Sequence, residues 1–189
     1  RRVFKKKIMF EKFDTSKYYK KTPPADNSFR TMQEVKELLK IPINKKFIKD
    51  KDDSLKTFKL TADKLNIDIP VALIDRLIDS SVPVIMDLKN FFNRPRPKEI
   101  ALKLGIDFPN VELNSMKTPS YPSGHSAQAF LIGYLLSDMF PKYKEQFMKT
   151  AKDISYSRNV ARCHYRTDSK FGEYLGKEMY NYIRQIYGV

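Results

Sequence analysis

From His125 to Met139 the chain is apolar on most faces of a helix, carrying Ala127, Ala129, Phe130, Leu131, Ile132, Leu135 and Leu136 with few polar interruptions. A helix with a polar side can lie on a surface, but one without such a side must be surrounded. The segment therefore predicts the centre of a helical bundle. Its longest apolar stretch, Ala127 to Phe140, is broken by Gln128, Ser137 and Asp138. It falls short of the roughly 18–20 residues that cross a bilayer, as does every other run, so no transmembrane segment is expected.

The flanking segments supply partners for that helix. Thr31 with Glu34 matches a capping box and predicts a helix from Met32 to about Lys40, burying Val35, Leu38 and Leu39 before Pro42. A second helix is expected from Asp53 to about Asn66, with Leu55, Phe58, Leu60, Ala62 and Leu65 inward. Pro70 suits the first turn of a third, Val71 to about Phe92, which Pro83 should kink or split. A short helix, Glu99 to Leu104, is stopped by Gly105, and a polar loop runs from Ile106 to Pro119. Pro141 opens a helix from Lys142 to about Arg162. Asp168 or Ser169 caps the last, which runs to Tyr187 and buries Leu175, Met179, Ile183 and Ile186. Gly172 and Gly176, one turn apart, would let it pack closely on a neighbour. The expectation is an all-α, compact single-domain bundle of about six main helices, which 189 residues suffice to build.

Residues 1–22 read as a basic N-terminal arm, laid over the domain by Phe4, Ile8, Phe10 and Phe13, and residues 23–189 as the folded domain. The net charge of +14, from 36 Lys and Arg against 22 Asp and Glu, favours anionic partners. Most of it reads as solvated surface, and no specific nucleic-acid site is expected. Cys163 stands alone, which excludes an intrachain disulfide and suits a small packing residue. A reducing, cytoplasmic compartment is favoured over a periplasmic one, although a removed leader stays open. Assembly is left between monomer and homodimer.

Three clusters carry the chemistry: Lys89 with Arg96-Pro97, then Pro122-Ser123-Gly124-His125, then Ser157-Arg158 followed by His164 and Asp168. His125 and His164 are the only two histidines. Lys89, Arg96 and Arg158 suit an anion clamp, since guanidinium forks match the oxygens of a phosphoryl group. Ser123 and Gly124 add a hydroxyl and the free N–H groups of a helix start. His164 with Asp168 suits a nucleophile and its orienting carboxylate, and His125 a general acid. Competing chemistries fail on particular residues. A cysteine phosphatase needs an arginine where Ser169 stands, and no P-loop is present. Asp50, Asp52 and Ser54 lack the glycine of a calcium loop, and no metal site is expected.

Lys89-x6-Arg96-Pro97, Pro122-Ser123-Gly124-His125 and Ser157-Arg158-x5-His164-x3-Asp168 together resemble the signature of the type 2 phosphatidic acid phosphatase (PAP2) and vanadium haloperoxidase superfamily. Asn90-Phe91-Phe92-x-Arg94-x-Arg96-Pro97 is also similar to the soluble bacterial class A acid phosphatases. The resemblance implies an all-helical PAP2-like domain over residues 23–189 and metal-independent phosphomonoester hydrolysis through a phosphohistidine. It makes His164 the nucleophile, Asp168 its orienter and His125 the acid, with Lys89, Arg96, Ser123, Gly124 and Arg158 as the phosphate pocket. It implies no cofactor, although vanadate or phosphate would occupy the site.

Two residues depart from the pattern. Arg162 stands where the family usually has a small residue, often Gly, and Arg166 where Pro is common. One or both are expected to extend a positive rim toward the substrate, or Arg162 to crowd the pocket. The leading expectation is a soluble phosphatase acting on small phosphorylated substrates such as nucleotides or diphosphates. The alternatives are lipid phosphates or isoprenyl diphosphates, reached by peripheral membrane contact of the arm, a vanadium-dependent haloperoxidase, and a non-catalytic anion-binding protein.

Overall fold

A computed structural model of the chain describes residues 9–188. Eight α-helices and three short 3₁₀ turns make up its regular structure, with no strand among the described residues. In chain order the helices are α1 (Phe29–Leu39), α2 (Lys45–Lys51), α3 (Ser54–Lys64), α4 (Val71–Phe92), α5 (Pro97–Lys103), α6 (Gly124–Met139), α7 (Lys144–Val160) and α8 (Arg166–Tyr187). The six longer ones are those the hydrophobic pattern predicts. The seven-residue α2 was not expected. Its sequence is lysine-rich and buries only Ile48, so it carries almost no apolar stripe to read.

α6 occupies the centre and packs on α8, α7 and α4. Ser123 caps it, accepting from the Ser126 N–H, and Ala127, Leu131, Ile132, Leu135 and Leu136 are buried. The approach of α8 is set by its glycines. A Cβ on Gly172 would stand 2.5 Å from the Ser123 carbonyl oxygen, and one on Gly176 would stand 2.4 Å from that of Ala127. No side chain fits at those distances, so the two backbones touch there. This contact brings the start of α6 beside the start of α8, where the Ser123 N–H donates to the Asp168 carbonyl at 3.0 Å.

Several local expectations are corrected. α1 begins a turn early, on Ser28, which accepts from the Thr31 N–H at 3.2 Å. Thr31 and Glu34 therefore face the interior and form no capping box. Pro83 neither splits nor ends α4, which is unbroken from Val71 to Phe92. Pro83 and Asp79 are both exposed, so water can satisfy the carbonyl that loses its N–H partner. Asp168 is not the N-cap of α8, a position that Tyr165 holds. It lies within the first turn, and its carboxylate accepts the Tyr165 N–H at 3.0 Å. Leu60 and Ile186, expected inside, are exposed.

Of the arm, Phe4 and Ile8 lie outside the described residues. Met9 and Phe10 join the main core, and Phe13 stacks on Tyr18 and meets Tyr182 edge-on. Thr15 and Tyr19 donate to Asp87 of α4 at 2.6 and 2.9 Å. Among the described residues no helix is long and apolar enough to cross a membrane.

Candidate active site

The end of α4, the loop behind it, the start of α6 and the α7–α8 turn converge at one end of the bundle. They bring Lys89, Arg94, Arg96, Ser123, Gly124, His125, Arg158, His164 and Asp168 together. Hydrogen-bond chemistry fixes how the two imidazoles are protonated. Arg96 Nη1 lies 3.0 Å from His164 Nε2, and a guanidinium only donates, so that nitrogen carries the lone pair. The proton is then on Nδ1, which donates to Asp168 Oδ2 at 3.1 Å. His125 shows the opposite tautomer. Its Nε2 lies 2.9 Å from the backbone carbonyl of Asp52, which only accepts, so Nε2 bears the hydrogen.

Asp168 is fully buried and held from four sides. Its carboxylate accepts from His164, from the Ser120 hydroxyl, from the Tyr165 N–H and from Arg94 Nη1 at 2.8 Å. Burial pushes its carboxyl up to about 6, against the pull of Arg94 and these donors. Behind it stands a second layer. Arg94 Nη2 donates to Glu34 at 3.1 Å, and Thr167 donates to the same carboxylate through its N–H and its hydroxyl, both at 2.9 Å. The Arg94 guanidinium also lies 3.8 Å over the Tyr165 ring.

The cationic wall is anchored by carbonyls. Lys89 Nζ donates to Pro119 at 2.6 Å, and Arg96 donates to Ser115, Thr118 and Cys163, each at 2.8 Å. Gly124 sits against Lys89, whose Cε would be 4.0 Å from a Cβ placed there. Ser123 Oγ accepts from the Ser126 N–H and hydroxyl at 3.2 and 2.8 Å, which leaves its own hydrogen to donate. Arg158 is buried, with Nε on Ser157 at 3.0 Å and Nη1 on Asp52 at 3.0 Å. Its Nη2 is buried with no hydrogen-bond partner among the described residues. Leaving such a donor unsatisfied costs about 1–3 kcal/mol, and a bound oxyanion would supply the missing acceptor.

The electrostatics follow from this crowding. Burial, with Arg96 next in weight, lowers Lys89 to about 7. Burial and then Arg158 lower His125 to about 4. Burial and then Arg96 hold His164 well below the ordinary imidazole range. Both rings are thus neutral near neutral pH, beside clustered cations that lack an equal set of anions. A tetrahedral oxyanion fits that imbalance, and an imidazole lone pair held beside it can attack or take a proton.

One expected rim residue stands elsewhere. Arg162 points away from the cup, donating to Pro109, Leu39 and Ile41 carbonyls at 3.0, 3.3 and 2.9 Å. Its φ of +58° is the left-handed conformation that glycine adopts freely. Arg162 therefore tolerates a strained turn while tying it to two other loops. Arg166 is exposed in the first turn of α8, where its charge acts on Glu173. Three further residues that the sequence patterns left without a site role stand here: Arg94, Glu34 and Asp52. Glu34 could have been found, since positions 31, 34, 35 and 38 form one helical stripe that also carries Val35 and Leu38.

The family profile of the PAP2 superfamily matches residues 76–187, more than half of the chain, and takes in all three clusters. Two curated proteins, each a non-specific acid phosphatase, one from Salmonella typhimurium strain LT2 and one from Salmonella typhi, are 28% identical over 88 residues. That alignment covers 47% of this chain but only 35% of each relative's length. An all-helical fold, three clusters gathered into one cup and a family match over most of that cup establish that this chain belongs to the PAP2 superfamily.

Proposed function

We propose that the chain is a phosphatase that hydrolyses phosphomonoesters of small molecules, without a metal ion, through a phosphohistidine on His164. The opposite tautomers of the two histidines, beside an unpartnered Arg158 donor, carry this reading. The acid phosphatases among the relatives support it.

The phosphoryl group binds with its nonbridging oxygens on Lys89, Arg96, Arg158, the Ser123 hydroxyl and the N–H groups that open α6. One oxygen takes over the Arg96 donor that His164 Nε2 now holds, which frees the lone pair. His164 Nε2 attacks phosphorus, and the bond to the leaving oxygen breaks. His125, protonated on both ring nitrogens once the substrate's negative charge lies beside it, gives its Nε2 proton to that oxygen and returns to neutral imidazole, and the alcohol departs. Asp168, bonded to Nδ1, stabilises the charge the ring acquires. Water then attacks the phosphohistidine while His125 takes its proton back, and orthophosphate leaves. The cationic wall stabilises charge spread over the equatorial oxygens.

Burial and Arg158 lower His125 to about 4, so its protonation as an acid depends on an anion lying beside it. A phosphate monoester loses its second proton near pH ~6. The substrate's own negative charge favours the imidazolium, so substrate and acid can share one proton between them. Vanadate is expected to inhibit as a mimic of the five-coordinate transition state.

The test is chemical trapping. Mixing with p-nitrophenyl phosphate, quenching in alkali and weighing the intact chain should show a phosphoryl adduct that His164→Ala lacks. Undiminished turnover by His164→Ala would overturn the proposal.

A further inference from the structure

The carboxylate that meets the cup from outside is Asp52, between α2 and α3. Its side chain is 53% exposed, whereas its partner Arg158 is fully buried. Oδ1 lies 3.0 Å from Arg158 Nη1 and 3.6 Å from His125 Nε2, and the backbone carbonyl of the same residue accepts the His125 proton at 2.9 Å. Two oxygens of one residue thus stand where a phosphate ester needs two of its own. One sits on the arginine clamp, the other on the acidic proton. The segment is lightly anchored. α2 buries only Ile48, which packs in a small cluster with Val160, Ala161 and Cys163, apart from the main core.

We propose that Asp52 is an internal competitor for the oxyanion site and a specificity residue for the leaving group. This inference rests on the phosphatase reading given above. A phosphoryl group that engages Nη1 as well as the unpartnered Nη2 must break the Asp52–Arg158 pair. The displaced carboxylate stays tethered beside His125, on the leaving-group side. There it repels a leaving group that itself carries negative charge and leaves a neutral alcohol undisturbed. The favoured substrates are therefore monoesters of uncharged alcohols such as sugars or nucleosides, and diphosphates are disfavoured.

Orthophosphate binding, measured by titration calorimetry, separates this proposal from the reading beneath it. Asp52→Asn, which keeps the shape, and Asp52→Ala should each bind orthophosphate about fivefold more tightly, the upper end for a pair with one exposed partner. Asp50→Asn, which removes an exposed carboxylate paired with Lys46, should bind as the unaltered chain does. In turnover, kcat/KM for pyrophosphate relative to p-nitrophenyl phosphate should rise by about the same factor in both Asp52 variants. Unchanged or weaker phosphate binding in both Asp52 variants, an unchanged substrate ratio, or equal tightening by Asp50→Asn would overturn the proposal. Full phosphate affinity in Arg158→Ala would instead break the site assignment itself.

Discussion

His164 is 3% exposed, and both of its ring nitrogens bond to side chains that are themselves buried, Asp168 and Arg96. His125 is partly exposed, and its Nε2 bonds to the backbone of Asp52, an exposed residue in the short junction between α2 and α3. The difference matches what two kinds of proton chemistry need. A group that forms a bond to phosphorus gains from a fixed orientation, so layers of supporting contacts serve it. A group that gives up a proton and takes it back must change partners in each cycle. A weakly held, exchangeable contact is therefore the appropriate resting state for it. The cup combines one imidazole tied at both nitrogens by buried side chains with one held through Nε2 by the backbone of an exposed residue.

The hardest blow to this comparison comes from removing the fixed ring. His164→Ala should lower kcat by at least about 10³-fold for every ester, whatever the leaving group, because the covalent step is lost. Steady-state rates with p-nitrophenyl phosphate and with an alkyl phosphate check this. His125→Ala should behave differently. The loss should be about 10²–10⁴-fold for alkyl phosphates and under about tenfold for p-nitrophenyl phosphate, whose leaving oxygen needs little protonation. Equal losses on both substrates would erase the distinction between the rings.

The supporting layers behind His164 can be tested without chemistry. Arg94 pairs with Asp168 and Glu34, and all three side chains are buried. Arg94→Met keeps the bulk and leaves two buried carboxylates without their cation. Breaking a buried pair this way costs about 3–5 kcal/mol, to be read from urea unfolding. Glu34→Gln keeps hydrogen-bonding atoms in place and should cost less. A near-neutral Arg94→Met would mean that Asp168 needs no backing, and that His164 is less rigidly held than its contacts suggest.

These contacts also show where sequence reasoning runs out. The three clusters could be read because each is short and local spacing alone fixes its geometry; His164 and Asp168 face each other four residues apart. α6 could be read because a helix apolar on all sides has one place to go. Glu34 was misread because a local pattern, Thr31 with Glu34, already accounted for it, while its true partners Arg94 and Thr167 are far along the chain. Asp52 left no signal at all, since a polar loop residue reaching Arg158 across 106 positions obeys no periodicity. Arg162 looked like a functional cation because charge is visible in sequence, whereas a φ of +58° is not.

The smallest effect concerns the wall that both rings share. Burial and Arg96 lower Lys89 to about 7, so its charge is present below that pH and is lost as pH rises through it. The anion clamp should weaken in step, and kcat/KM should fall on the alkaline side. Arginine stays charged throughout. Lys89→Arg is therefore expected to keep a few-fold more of its activity than the unaltered chain on going from about pH 6 to about pH 8, even if its absolute rate is lower. Arg96 and Arg158 keep their charge when Lys89 loses its own, so the clamp is weakened and not abolished, which is why the effect is a few-fold and not tenfold. Comparing full pH–rate profiles of the two proteins separates the sources of the limb. If Lys89→Arg declines along the same curve as the unaltered chain, the lysine is not the titrating group. The limb then belongs to the proton that substrate and His125 share, and the alkaline loss should vanish in His125→Ala with p-nitrophenyl phosphate.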